Sequence, residues 1–422
     1  MSSSLPAKWL GDAEAGRAHS VRHLQWYIDK GLYWVPIATA TFFSKFAVPP
    51  LGAAGISIAI PAMLAMVCIA LVFQRLVLEP KVAAAYLFVL GSLFAMQSMA
   101  DSRYSLLSLI LLALLHLPYV FRMVQPPSYI RVIRFVQAVG LTVAVLGIFQ
   151  YTLQFVVSAR FVFPLENFVP DSFIVSLFNQ QAPVAYGATI YRANGMVMVE
   201  PSVFSQLMAI CILIELISKR RWWYFAIALL AMVMSYSGTG MLLLVATLVV
   251  FAVERGKIGL VTVVFAGAFL LAALGSVFQD IPILGHMISR LGEFSSTGSS
   301  GFARFVGGYY MFDEFLWPSP VRTLIGYGAG TFKFYMAAAT YPVSEMAIFK
   351  VVFEFGLLGA VLYFGLLVYC FGRSSAPLVL KVGLAICLIL SGNYFPFAHA
   401  LAFVLLVWTE SDQRIRRLPG AV

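Results

Sequence analysis

The sequence predicts an all-α polytopic membrane protein with about twelve transmembrane helices. Three observations carry this. Of 422 residues, 61% are hydrophobic and only 11% are charged, with a mean hydropathy of +0.91. A soluble domain carries about 25% charged residues, so these polar side chains cannot cover the apolar mass in water. The apolar residues also fall in runs approaching the roughly 20 residues that a bilayer core requires. Finally, the polar segments between runs alternate between basic-rich and basic-poor, the signature of membrane orientation. A soluble globular enzyme, a disordered chain and a fibrous repeat are all excluded.

The runs bounded by charge predict spans at Leu32–Phe46, Ala53–Phe73, Val82–Met99, Leu106–Phe121, Phe135–Val157, Val203–Ile217, Trp222–Met234, Met241–Val253, Ile258–Phe278, Ala347–Cys370, Pro377–Leu390 and Tyr394–Trp408. A cytoplasmic N-terminus makes the inside segments basic throughout. They hold Lys8, Arg17, Arg22 and Lys30, then Arg75 and Lys81, then Arg122, Arg131 and Arg134. They continue with Lys219, Arg220 and Arg221, with Arg255 and Lys257, with Arg373 and Lys381, and with Arg414, Arg416 and Arg417. The remaining basic residues lie mostly in two long outer segments, where the orientation rule is weak. Both termini are therefore expected inside. Residues 1–422 form one integral membrane domain, with a cytoplasmic segment at 1–30 and a cytoplasmic tail at 410–422. No cleavable leader is expected in the polar, mixed-charge start, and Val21–Lys30 reads as a helix lying on the cytoplasmic face. Cys68, Cys211, Cys370 and Cys387 sit inside apolar runs and read as small packing residues.

Chemistry is expected in the two long outer segments, 158–202 and 279–346. Loops longer than about fifteen residues are usually functional or disordered, and the aromatic content of these two argues against disorder. In the first, Tyr191-Arg192-Ala193-Asn194-Gly195 leads to Glu200-Pro201-Ser202, a helix start with an acid favouring the positive dipole end. In the second, Arg290 and Arg304 flank a stretch of small residues. Arg322 and Gly326-Tyr327-Gly328-Ala329-Gly330 follow, then Ser344-Glu345. The glycine run lacks the βαβ context of a nucleotide site and reads as a tight turn or a close backbone approach. Guanidinium forks bind phosphate oxygens bidentately at any relevant pH, so arginines gathered on the outer face point to a lipid-linked pyrophosphate. Phospholipid headgroups and loop carboxylates are their other natural partners.

Absent residue types narrow the choice. No His/Cys/carboxylate cluster has metal-site spacing and no nucleophile elbow is present, so no metal and no cofactor is expected. No nucleic-acid partner is expected either, because the +10 charge is spent on orientation. Intramembrane charge is sparse, with Lys45, Glu215 and Glu354 the main cases.

The order of four short motifs across roughly 191–408 resembles the O-antigen and exopolysaccharide polymerases, which are related to the O-antigen ligases. The pieces are Arg192-Ala193-Asn194-Gly195 with Glu200-Pro201-Ser202-Val203-Phe204; Ser235-Tyr236-Ser237-Gly238-Thr239-Gly240; Arg290 through Arg304 with Gly326-Tyr327-Gly328-Ala329-Gly330; and Ser344-Glu345-Met346 with Glu354-Phe355-Gly356-Leu357-Leu358-Gly359. The ligases typically place a histidine just before the span that starts here at Met346; Ser344-Glu345 stands there instead, which favours polymerase. The resemblance implies a GT-C-like architecture with short helices in the periplasmic loops, in the bacterial inner membrane. It implies transfer of a glycan from undecaprenyl pyrophosphate to a sugar hydroxyl of another lipid-linked repeat unit, among membrane lipids, with a chain-length regulator and a flippase as partners. Arg192, Arg290 and Arg304 are the expected stabilisers of the leaving pyrophosphate, with Arg322 a weaker fourth. Glu345, then Glu200, are the expected groups for the acceptor hydroxyl. Tyr191, Tyr327, Tyr341 and His286 are expected to contact substrate. A ligase acting on lipid A-core and a flippase or other transporter are the alternatives.

Overall fold

A computed structural model describes residues 7–48, 56–175, 178–184, 188–218, 221–257, 296–392 and 395–409, with isolated helical positions between 259 and 270. The chain is mostly helical. The first half comprises α1 (Ala7–Phe42), α2 (Ala59–Val72), α3 (Pro80–Met96), α4 (Leu106–His116) and α5 (Tyr129–Leu153). Short helices α6 (Ala159–Val162) and α7 (Pro164–Phe168) follow, then α8 (Pro201–Ile217), α9 (Trp222–Met234) and α10 (Gly238–Glu254). Beyond them lie α11 (Ser300–Phe305), α12 (Gly307–Met311), α13 (Pro320–Ile325) and α14 (Phe332–Ala338), then α15 (Ala347–Arg373), α16 (Leu378–Leu390) and α17 (Pro396–Ala402). Each predicted apolar run within the described residues coincides with a helix; Ile258–Phe278 lies mostly outside them.

Two local features differ from the sequence expectation. The helix expected at Val21–Lys30 is not separate: α1 runs unbroken from Ala7 to Phe42 with Pro36 inside it, because nothing between Lys30 and Leu32 stops a helix except the tolerated Gly31. A two-stranded antiparallel ribbon, β1 (Leu76–Leu78) against β2 (Phe121–Met123), also joins the ends of α2 and α4. Three-residue strands leave no periodic signature to read.

Three described helices are long and apolar enough to cross a membrane: α5, α15 and α3 with its 3₁₀ extension to Met99. Shorter apolar helices accompany them. Their outward faces carry exposed Leu87, Phe88, Phe94, Val145, Phe149, Val361 and Val368. Such faces are costly in water and neutral against acyl chains. Inward, α8 is buried along nearly its whole length and packs on α5, α9, α10 and α16, so it is the hub of the main core. A second, aromatic core lies beneath the outer segment: Met311, Phe312, Leu316 and Phe332 close over Met346, Phe349 and Phe353 at the start of α15.

The expected intramembrane charges find partners within the protein, although one oxygen of Glu354 is left without a hydrogen bond. Glu215 pairs with Arg221 at 2.8 Å and accepts from Gln137 at 2.5 Å. Lys45, fully buried, pairs with Glu166 and donates to the Met196 carbonyl at 2.6 Å. The Glu354 carboxylate faces the backbone N–H groups of Gly330 and Phe332 at the start of α14. There the glycine run does what a close approach demands. Gly326 and Gly356 both take positive φ, and a Cβ on Gly356 would lie 2.3 Å from the Leu324 carbonyl oxygen. Gly356 also breaks α15, its φ of 65° and ψ of −175° being non-helical.

Candidate functional site

Four distant segments converge on one cavity of about 250 Å³. Glu200, Ser202 and Gln206 come from the start of α8, Arg304 from the last turn of α11, and Ser344, Glu345 and Met346 from the entrance to α15; Ser391 and Gly392 close it from the end of α16.

Local chemistry sets each side chain in place. Pro201 occupies the first helical position of α8, where its missing N–H costs nothing, so Glu200 becomes the cap residue with extended backbone. Its carboxylate accepts from the Ser202 hydroxyl at 2.7 Å and from the Asn179 backbone N–H at 3.2 Å. Ser299 caps α11 by accepting from the Phe302 N–H at 3.1 Å. That short helix carries Arg304 toward α8 and α10. The Arg304 guanidinium donates to Thr239 Oγ1 at 2.8 Å and lies 3.7 Å from Glu200 Oε2. Thr239 is itself placed by the tight contact of α10 on α8: a Cβ on Gly240 would meet the Ser205 carbonyl oxygen at 2.4 Å.

Glu345 is tied in by backbone. The Ser344 N–H donates to the Ala303 carbonyl at 2.8 Å, and the Ala347 N–H to the Ser391 carbonyl at 3.1 Å. These two bonds hold Arg304 and Glu345 beside each other although forty residues separate them in sequence. Lys350 Nζ, one turn into α15 and largely buried, donates to Glu345 Oε2 at 3.1 Å. The cavity is therefore lined by two carboxylates and one cation at the end of the helices, with the Lys350 ammonium paired to Glu345 from outside the lining, each side chain about a quarter exposed or less.

The other expected site residues fall elsewhere. Arg192 lies in the first outer segment, its guanidinium donating to the Val184 carbonyl at 3.1 Å. Tyr191 beside it packs edge-on against Phe163, and neither lines the cavity. Arg322 donates to the Met99 carbonyl at 2.6 Å and covers the Tyr327 ring at 5.0 Å. Tyr327 in turn donates to the Phe315 carbonyl at 2.7 Å and stacks on Phe353. This pair braces the loop between α13 and α14. Tyr341 sits against Phe302 and Tyr310, on the outer side of α11. Arg290 and His286 lie outside the described residues.

Sequence reasoning missed Lys350 and Gln206, and gave Thr239 no role beyond its place in a motif. Lys350 is hidden because it stands inside a long apolar run; the signal was a lone cation five residues after an acid at a span start. Thr239 and Gln206 are polar residues in apolar helices, legible only once packing shows what they face. Among the described residues no group of three or more His, Cys, Asp or Glu is placed to hold a metal ion. No family model, no curated protein and no solved structure matches the chain.

Proposed function

We propose that the chain is a polysaccharide polymerase, a glycosyltransferase that moves a glycan from undecaprenyl pyrophosphate to a sugar hydroxyl of another lipid-linked repeat unit. The proposal includes twelve spans, both termini in the cytoplasm and the cavity at the periplasmic face of the inner membrane. One observation carries it: Arg304, Glu345 and Glu200 line a single partly open cavity at a helix-end level of an otherwise apolar bundle, with Lys350 paired to Glu345 outside the lining.

The chemistry follows from that set. The anomeric carbon–oxygen bond to the pyrophosphate breaks, and the bonding electrons leave with the phosphate oxygen. A new bond forms between the same carbon and the acceptor oxygen, whose proton passes to Glu345. Negative charge grows on the departing group, where a fixed guanidinium stabilises it. Arg304 suits this role because its ion pair with Glu200 is loose at 3.7 Å, against about 2.7–2.9 Å for a tight charged contact. A diphosphate can replace that contact while Thr239 holds the guanidinium in orientation. Lys350 holds the base. The cations and carboxylates balance before substrate arrives, so proton uptake by Glu345 also removes a negative charge next to the leaving diphosphate.

The test is polymerisation of a defined lipid-linked repeat unit by the purified chain. Long polymer from wild type, and single units from Arg304→Ala and Glu345→Gln with folded protein retained, are the expected results. Polymer of normal length from both variants overturns the assignment, and glycan transferred to lipid A-core instead selects a ligase.

A further inference from the structure

A second cavity of about 230 Å³ lies at the opposite end of α15. The first begins at Met346; this one is bordered by Cys370, Arg373, Ser374 and Ser375. The 27 residues of α15 put roughly 40 Å between them at 1.5 Å per residue. It takes no part in the transfer chemistry proposed above and does not depend on it.

Its lining is amphiphilic. Tyr119, Leu406 and Trp408 form apolar walls. Trp408 is pinned there, its indole N–H shared between the Pro118 and Phe121 carbonyls at 3.1 and 3.2 Å. At the mouth stand Arg122 and Arg373. Arg373 pairs with Glu79, itself part of the lining. Arg122 has no side-chain partner among the described residues. The reason is the ribbon: along β2, Phe121 and Met123 turn into the core while Arg122 turns out, as the period-two geometry of a strand requires. Among the described residues the cavity thus carries one positive charge with nothing set against it. Beside the mouth, Val77, Leu78, Val124 and Leu378 expose their apolar side chains.

We infer that this cavity binds the phosphate-bearing headgroup of an anionic membrane lipid, with Arg122 as the phosphate contact and the exposed apolar rim under its acyl chains. A free phosphate shares the headgroup's charge; the rim favours the lipid, since a soluble ion gains nothing from Leu78 or Leu378. A single arginine near an anionic surface contributes on the order of a fivefold change in binding, which sets the scale of the test.

The full chain, purified in neutral detergent, is titrated with phosphatidylglycerol, phosphatidylcholine and inorganic phosphate while its thermal unfolding is followed. Phosphatidylglycerol is expected to raise Tm, and the other two to leave it in place. Arg122→Glu and the milder Arg122→Gln are expected to weaken the phosphatidylglycerol response at least about fivefold, with unchanged Tm in the absence of lipid, because the side chain is exposed. Arg134→Glu, a charge reversal on α5 away from the cavity, is expected to respond as wild type. Equal response in wild type and both Arg122 variants overturns the site. Equal weakening by Arg134→Glu also overturns it, showing diffuse surface attraction. Stabilisation by inorganic phosphate alone overturns the lipid assignment.

Discussion

Arg304 is held by one neutral and one charged contact, and that combination decides what its loss does. Thr239 fixes the direction of the guanidinium, whereas Glu200 at 3.7 Å contributes little through a partly exposed pair. If Arg304 acts as proposed, Arg304→Ala is expected to leave the fold intact and lower the polymerisation rate by about 10²- to 10³-fold. Glu345→Gln keeps the shape and removes the base, with an expected loss of about 10²- to 10⁴-fold. Lys350 acts one step back, as a positioning residue. Lys350→Met is expected to lower the rate while Lys350→Arg restores most of it, since the arginine also places a cation near Glu345. Equal activity in the methionine variant, measured as repeat units added per minute, shows that the contact does not position Glu345. Of this group, Arg304, Glu200 and Glu345 are legible in sequence because charge is conspicuous beside small residues or at a helix start. Lys350 is not, because a single cation in an apolar run has the same appearance whether it reaches solvent or an acid.

Elements are tied together by a few buried polar contacts, and these set where stability is concentrated. Lys45 and Glu166 join the end of α1 to α7 with almost no solvent on either side chain. Removing one partner strands a buried charge, so Lys45→Met is expected to cost about 3–5 kcal/mol. Lys45→Met with Glu166→Gln is expected to cost less than the single change, as chemical unfolding measures. The outer segment has a second tie. The Arg103 backbone N–H on Asp101 at 2.8 Å, joined by the Tyr335 hydroxyl at 2.9 Å, holds the Asp101 carboxyl below its ordinary value of 3.8. A carboxyl held low in the folded state adds stability above its unfolded value, and that contribution disappears as pH falls through the folded one. The Tm of wild type is thus expected to drop below about pH 4, with a smaller drop in Asp101→Asn. Helix positions themselves were largely legible, because apolar runs and prolines such as Pro80, Pro201 and Pro396 mark them directly. The break at Gly356 was not. It accompanies the close approach of the Leu324 carbonyl, at the end of α13 some thirty residues earlier, which no local pattern records.

Among the described residues, two clusters of charged groups stand at opposite ends of α15 and apolar side chains face outward between them. Glu200, Arg304 and Glu345 stand at one end of α15, and Arg122, Arg373 and Glu79 at the other. Between them, α3 and α15 turn Leu87, Phe88, Val361 and Val368 outward. An axis of this kind fits a bilayer, whose core admits apolar flanks and whose two faces differ in charge. In the proposed orientation the Arg122 end faces the cytoplasm and the Arg304 end lies outside. Orientation is testable without activity. In a Cys68→Ala background, which removes the exposed native thiol, Thr297→Cys places a thiol just before α11 and Ser128→Cys places one at the start of α5. A charged, membrane-impermeant maleimide added to intact spheroplasts is expected to label the first and spare the second, and to label both after lysis. Labelling of Ser128→Cys alone before lysis would reverse the axis, placing the arginine and carboxylates in the compartment where nucleotide sugars rather than exported lipid-linked glycans are found, and the polymerase reading would fall with it.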